Sequence, residues 1–178
     1  METMTVERVI DAPVEEVFAW LTTTTNYTHS PLILRCRLTR HGASAPYGVG
    51  AVRHHLWLIG WFRERITHYD PPYATEYVVE RSLPPSRHAL GRMTFTEVDG
   101  GTEVRWTTRA EIPLPLLGAF LTRRLARPVI TRTFRNILDV ANAVLTQRPP
   151  LQPQPLPQPG TRTTHAPTHA PTDGIEPR

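Results

Sequence analysis

The chain has 178 residues, 20 basic and 16 acidic side chains, a formal net charge of +4 and one cysteine. One domain with a tail is expected at this length, and about 150 residues can bury a core without covalent staples. A lone Cys36 excludes an intramolecular disulfide, and no apolar run approaches the ~20 residues of a membrane span.

All the basic residues other than histidine are arginine, interleaved with acids as in Arg63-Glu64-Arg65 and dense only between Arg123 and Arg135. No nucleic-acid-reading motif accompanies them, so the sequence predicts no nucleic-acid partner. The first residues carry Glu2 and Glu7 where a secretion signal needs a basic and then an apolar stretch. A cytoplasmic protein, monomer or homodimer, without membrane insertion is the expectation.

Residues 4–11 alternate and are rich in β-branched side chains, which predicts a strand. Asp11-Ala12-Pro13 then opens a helix, with Asp11 as N-cap, Glu15 and Glu16 in the first turn, and Val14, Val17, Phe18 and Leu21 as its apolar stripe. A short second helix is expected around residues 26–29, stopped by Pro31. Leu34, Cys36 and Leu38 alternate with Arg35, Arg37 and Thr39, giving a strand with one apolar face. Further strands follow over about residues 49–58, 61–69, 74–82, 87–98 and 102–112, separated by short turns that include Ile59-Gly60 and Asp99-Gly100-Gly101. Such short connections predict an antiparallel meander. A long helix is expected over about residues 116–147, with Leu117, Leu121, Leu125, Ile130, Phe134, Ile137, Leu138, Ala141 and Leu145 as its stripe. Pro128 lacks an amide hydrogen, so this helix either kinks there or breaks at Arg127. Beyond Arg148 proline recurs at nearly every second position, and residues 149–178 are expected to form a disordered tail.

Strand, two short helices, six antiparallel strands and a long helix form an α+β arrangement, in which the helix must cover the sheet's apolar face. The order and four stretches resemble the START-like, Bet v 1-like superfamily, in its polyketide cyclase/dehydrase and lipid-transport branch of SRPBCC proteins. The stretches are Val9-Ile10-Asp11-Ala12-Pro13-Val14-Glu15-Glu16-Val17-Phe18, Gly48-Val49-Gly50-Ala51-Val52-Arg53, Arg63-Glu64-Arg65-Ile66-Thr67-His68-Tyr69-Asp70-Pro71-Pro72 and Gly100-Gly101-Thr102-Glu103-Val104-Arg105-Trp106. The resemblance covers roughly residues 4–147. It implies a helix-grip fold: a curved seven-stranded sheet around the C-terminal helix, enclosing a cavity for a small hydrophobic, lipid- or polyketide-like molecule. The alternative it implies is a cofactor-independent cyclase, aromatase or dehydratase, and after that a chaperone-activator-like interaction module, because one framework hosts them all.

Alternation nominates the cavity wall. Val104 and Trp106, Phe95, Tyr77 and Val79, and Phe62, Glu64, Ile66 and His68 face one way, under a helix carrying Leu121, Phe134 and Leu138. In the strand from Val49, either Arg53, His55 and Trp57 face inward, or Val52, His54, Leu56 and Leu58 do. The first register brings Arg53 to Glu64 and relieves the cost of burying either charge alone. Glu64 is then either a general base or a structural partner of Arg53; His55 is a candidate proton shuttle, and Tyr77 a hydrogen-bond donor. The sequence contains no metal-spaced Cys/His set, no phosphate-binding glycine loop and no nucleophile elbow, so no metal or cofactor is expected.

Overall fold

The computed structural model describes residues 1–113 and 118–147. The expected tail of residues 149–178 and Leu117 of the helical stripe lie outside the described residues.

Alternation of buried and exposed side chains builds seven strands: β1 (Glu2–Ile10), β2 (Ile33–Arg40), β3 (Val52–Trp57), β4 (Gly60–Asp70), β5 (Ala74–Leu83), β6 (Arg87–Val98) and β7 (Gly101–Glu111). They form one antiparallel sheet in the order β1-β7-β6-β5-β4-β3-β2. Each connection from β2 to β7 leads to the neighbouring strand, and β1 closes the far edge against β7. Gly100, at φ +82°, supplies the left-handed residue that the tight β6–β7 turn demands.

Between β1 and β2 lie α1 (Val14–Thr22) and a 3-10 helix (Thr24–His29). Pro13, not Asp11, occupies the N-cap of α1; its carbonyl accepts from the amides of Glu16 and Val17. Asp11 lies two residues before that N-cap, and its amide donates to Asn142 Oδ1 of the C-terminal helix. The α1 stripe packs onto the sheet through Phe18, whose ring lies 5.1 Å from Phe95 and 5.2 Å from Tyr69.

The C-terminal helical segment consists of α2 (Gly118–Leu121), a π-helical turn (Thr122–Ala126) and α3 (Arg127–Thr146). The helix does not break at Arg127. Its amide donates to the Thr122 carbonyl five residues back, and Pro128 follows as an early residue of α3, where its missing donor costs little. From Thr133 onward the segment is clamped to the sheet by buried Phe134, Ile137, Leu138, Ala141 and Leu145. Leu125, expected in the same stripe, is exposed because the π turn rotates the helix before α3 begins.

Of the five register shifts in the sheet, three displace the expected alternation. A bulge between Ile33 and Arg35 buries Ile33 and leaves Leu34 57% exposed, opposite to the expected register. Another between Ile66 and His68 turns His68 out to solvent and Tyr69 inward, so His68 is removed from the expected wall. A third, between His88 and Leu90, turns His88 inward. The β3–β4 turn is Leu58-Ile59 rather than Ile59-Gly60, and β3 opens at Val52 because the Ala51 amide folds back onto the Gly48 carbonyl.

Candidate functional site

The register of β3 against β4 sets Arg53 opposite Glu64 and His55 opposite Phe62. Arg53, His55 and Trp57 are buried, and Leu56 and Leu58 are exposed, so the first of the two registers is the one adopted. Arg53 Nε donates to Glu64 Oε2 at 2.8 Å, and His55 Nε2 lies 3.2 Å from the same oxygen. That second approach is close enough for charge attraction but is not aligned as a hydrogen bond. Behind it, His55 Nδ1 lies 3.1 Å from Cys36 Sγ, and the imidazole stacks on Tyr27 at 6.1 Å between centroids. The Arg53 guanidinium lies 4.8 Å from the centre of the Tyr77 ring, a cation–π contact.

Burial alone would raise the Glu64 pKa. The charges of His55 and Arg53, with the hydrogen bond from Arg53, outweigh it and hold the carboxyl at about 2. The Arg53 contribution is permanent, because a guanidinium in a protein keeps its proton. Burial and then the Glu64 charge push the Cys36 thiol up to about 12. The Tyr77 hydroxyl is pushed well up for the same two reasons. Glu64 is therefore an ionised acceptor, and Cys36 and Tyr77 stay protonated near neutral pH.

A cavity of about 300 Å3 lies between the sheet and the start of the C-terminal helix. Trp57, Phe62, Tyr77 and Val79 line it from the sheet, and Leu125, Val129, Ile130 and Phe134 from the helical segment. Glu64 is on its lining, and among the described residues no hydrogen bond engages the second carboxylate oxygen, Oε1. Trp57 is on the same lining, and its Nε1–H is buried without a hydrogen-bond partner. His88 and Thr108 add a third polar group. The Val79 amide donates to His88 Nδ1, so that nitrogen is bare and Nε2–H donates to Thr108 Oγ1 at 2.9 Å. This arrangement holds the imidazole neutral; burial lowers its pKa, against the pull of Glu64. Thr108 has spent an acceptor site on His88, which leaves its own hydroxyl hydrogen for the cavity.

The candidate residues therefore separate into layers. Trp57, Phe62, Glu64, Tyr77, Val79 and Phe134 line the cavity. Arg53 and His55 lie behind Glu64 and do not line it. Trp106 lies one layer back, stacked on Phe134 at 3.9 Å and donating from Nε1 to Tyr77 Oη at 3.0 Å. Ile66, Phe95, Val104 and Leu138 are solid core, because α1 fills that end of the sheet. Leu121 is half-buried and outside the lining, and His68 is exposed. Reading the sequence alone misses His88 and the rim residues Pro84, Pro85 and Val129, and it places Leu125 on the helical stripe without assigning it to the cavity. Continued alternation from Trp106 does find Thr108 and Ala110, but the bulge before Leu90 hides His88.

Tyr77 keeps its place because residue 91 is glycine. A Cβ there would fall 2.2 Å from Tyr77 Cζ, so the phenol ring lies flat on bare backbone.

Among solved structures, the chain is similar to TTHA0849 from Thermus thermophilus, at 15% identity and a TM-score of 0.68 over 82% of this chain and 97% of that one. It is similar to Ara h 8.0201 at 13% identity and a TM-score of 0.61, over 83% and 99% of the two chains. It is also similar to the di-domain aromatase/cyclase StfQ of steffimycin biosynthesis, at 17% identity and a TM-score of 0.54, over 82% of this chain but 44% of that one. These likenesses show the shared helix-grip fold. No curated protein matches the sequence. Residues 1–145 match the family described as polyketide cyclase/dehydrase and lipid transport, and the chain belongs to that family.

Proposed function

We propose that the chain binds one small, uncharged, mainly aromatic or polyketide-like molecule in the cavity over Trp57 and Phe134. The observation that carries this reading is the polar content of an otherwise apolar lining. Glu64 Oε1 offers an ionised acceptor, and Trp57 Nε1–H is an unpartnered donor. A hydroxyl on the ligand satisfies the first and a carbonyl or second oxygen satisfies the second. A carboxylate ligand is disfavoured beside the ionised Glu64, whose partner Arg53 does not itself line the cavity. The volume lies at the small end of ligand sites.

Binding rather than proton transfer is the better-supported role. A general base works best with a pKa near the working pH, and Glu64 is held at about 2. His55, the other proton carrier, does not line the cavity. The family and the likeness to StfQ favour a second reading, a cofactor-independent cyclase that holds a flexible polyketide folded between the same donor and acceptor.

Fluorescence titration with 2-naphthol and 2-naphthoic acid at neutral pH separates charge from shape. The naphthol is expected to bind in the micromolar range and the naphthoate more weakly. Trp57→Phe, which keeps a ring and removes the N–H, should weaken naphthol binding about two- to tenfold. Tighter binding of the naphthoate, or no binding of either, overturns the assignment. Conversion of a linear polyketide by the purified protein would establish the cyclase reading instead.

A further inference from the structure

The cavity opens onto an apolar rim, not a polar one. Leu125 and Val129 line the cavity and are also exposed. Leu58 adjoins Ile59 in the β3–β4 turn, and Leu83 adjoins Pro84 at the end of β5; Ile59 and Pro84 both line the mouth. The two turns are in contact, since a Cβ on Gly60 would fall 2.3 Å from the Leu83 carbonyl oxygen. Phe120 on α2 is exposed as well, and Leu58, Leu83, Phe120, Leu125 and Val129 are 43–68% exposed. Scattered single leucines are ordinary on a protein surface, whereas a cluster around a cavity mouth marks a contact surface.

The charge beside the rim is one-sided. The helical segment from Gly118 to Thr146 carries Arg123, Arg124, Arg127, Arg132 and Arg135 against a single acid, Asp139. Asp139 is paired with Arg8, and Arg123 with Glu2. Among the described residues Arg124, Arg127, Arg132 and Arg135 have no ion-pair partner. The acid on the rim, Glu111, is already engaged by the N-terminal ammonium and Arg87. A second copy docked symmetrically on this face would set arginine against arginine, which argues against a homodimer contact here. An anionic, fluid, apolar surface satisfies both features at once.

We propose that the cavity rim is a peripheral docking surface for an anionic lipid bilayer. Leu58, Leu83, Phe120 and Leu125 enter the boundary between headgroups and acyl chains while Arg124 and Arg127 contact lipid phosphates. An apolar molecule then passes between bilayer and cavity without crossing water. The contact is superficial: among the described residues no helix is long and apolar enough to cross a membrane.

The test is sedimentation of the full chain with vesicles of phosphatidylcholine alone or mixed with phosphatidylglycerol. Binding is expected to the mixed vesicles and to fall as salt rises. Leu58→Glu combined with Leu83→Glu should abolish it. Neither residue lines the cavity, so 2-naphthol binding and the thermal unfolding midpoint should be unchanged. Arg124→Gln with Arg127→Gln should weaken vesicle binding about tenfold or more, whereas Leu34→Glu, on β2, should leave it intact. Absence of binding to mixed vesicles at low salt overturns the proposal. So does binding that survives the double substitutions, or light scattering showing a dimer that the leucine pair converts to monomer. Failure of naphthol binding with vesicle binding intact would overturn the ligand assignment alone.

Discussion

Glu64 stays ionised inside an apolar core because Arg53 and His55 both approach its Oε2 oxygen, while the residue itself lines the cavity. Such a pair is expensive to break from one side, since the remaining charge is buried without a partner. Arg53→Met or Glu64→Gln alone should cost about 3–5 kcal/mol in urea unfolding, and the double variant should recover much of that loss. The pair also sets a pH dependence. The Glu64 carboxyl, ordinarily near 4.5, is held at about 2 in the fold, so its contribution to stability is complete above pH 4.5 and is lost as pH falls toward 2. Unfolding free energies measured across that range should fall less steeply in Glu64→Gln than in the native chain. A matching principle holds at Gly91: Gly91→Ala displaces the Tyr77 ring and should cost about 1–3 kcal/mol. Loss of the Trp106-to-Tyr77 hydrogen bond would appear as a shift of that indole N–H resonance. The Arg53–Glu64 pairing was legible in the sequence only as one of two registers. Local alternation fits both, and the more apolar face belongs to the register the protein does not adopt.

At the scale of the element, period-two reading works along β7, where Val104, Trp106, Thr108 and Ala110 are all buried. It fails wherever a bulge inserts a residue. In β2, alternation nominates Leu34 as core, but the bulge after Ile33 exposes it. Leu34→Lys should therefore change stability by less than about 0.5 kcal/mol, while Ile33→Ala should cost about 2–5 kcal/mol; chemical denaturation of the two variants checks the assignment. The reverse ranking would restore the simple register. Bulges have no compositional signature in these strands, because they are set by the partner strand and by sheet curvature. The helix shows the same limit. Pro128 announces a disturbance, but the form it takes, a π turn before α3 that leaves the helix unbroken, depends on the sheet beneath holding Phe134 and Ile137 in place.

At the scale of the whole molecule, the helix grips the sheet firmly from Thr133 to Leu145 and stands off it before that, which is where the cavity lies. The closed end is filled by α1 through Phe18, and the open end is edged by two turns and the exposed leucines. Opposite ends of one sheet thus perform different tasks, stability at one and access at the other. The sequence by itself determined the number and order of strands, the two short helices, the long helix and the family. Each of these follows from hydrophobic period, turn residues and breakers acting over a few residues of backbone. Only the tertiary structure decided which inward residues meet a void and which meet another side chain. That choice depends on how α1 and the π turn fill space against strands far away in the chain, and no local pattern encodes the gap left between distant surfaces. Ile66, Phe95, Val104 and Leu138 share the inward face with Phe62 and Tyr77, yet the first four are core and the last two are cavity wall.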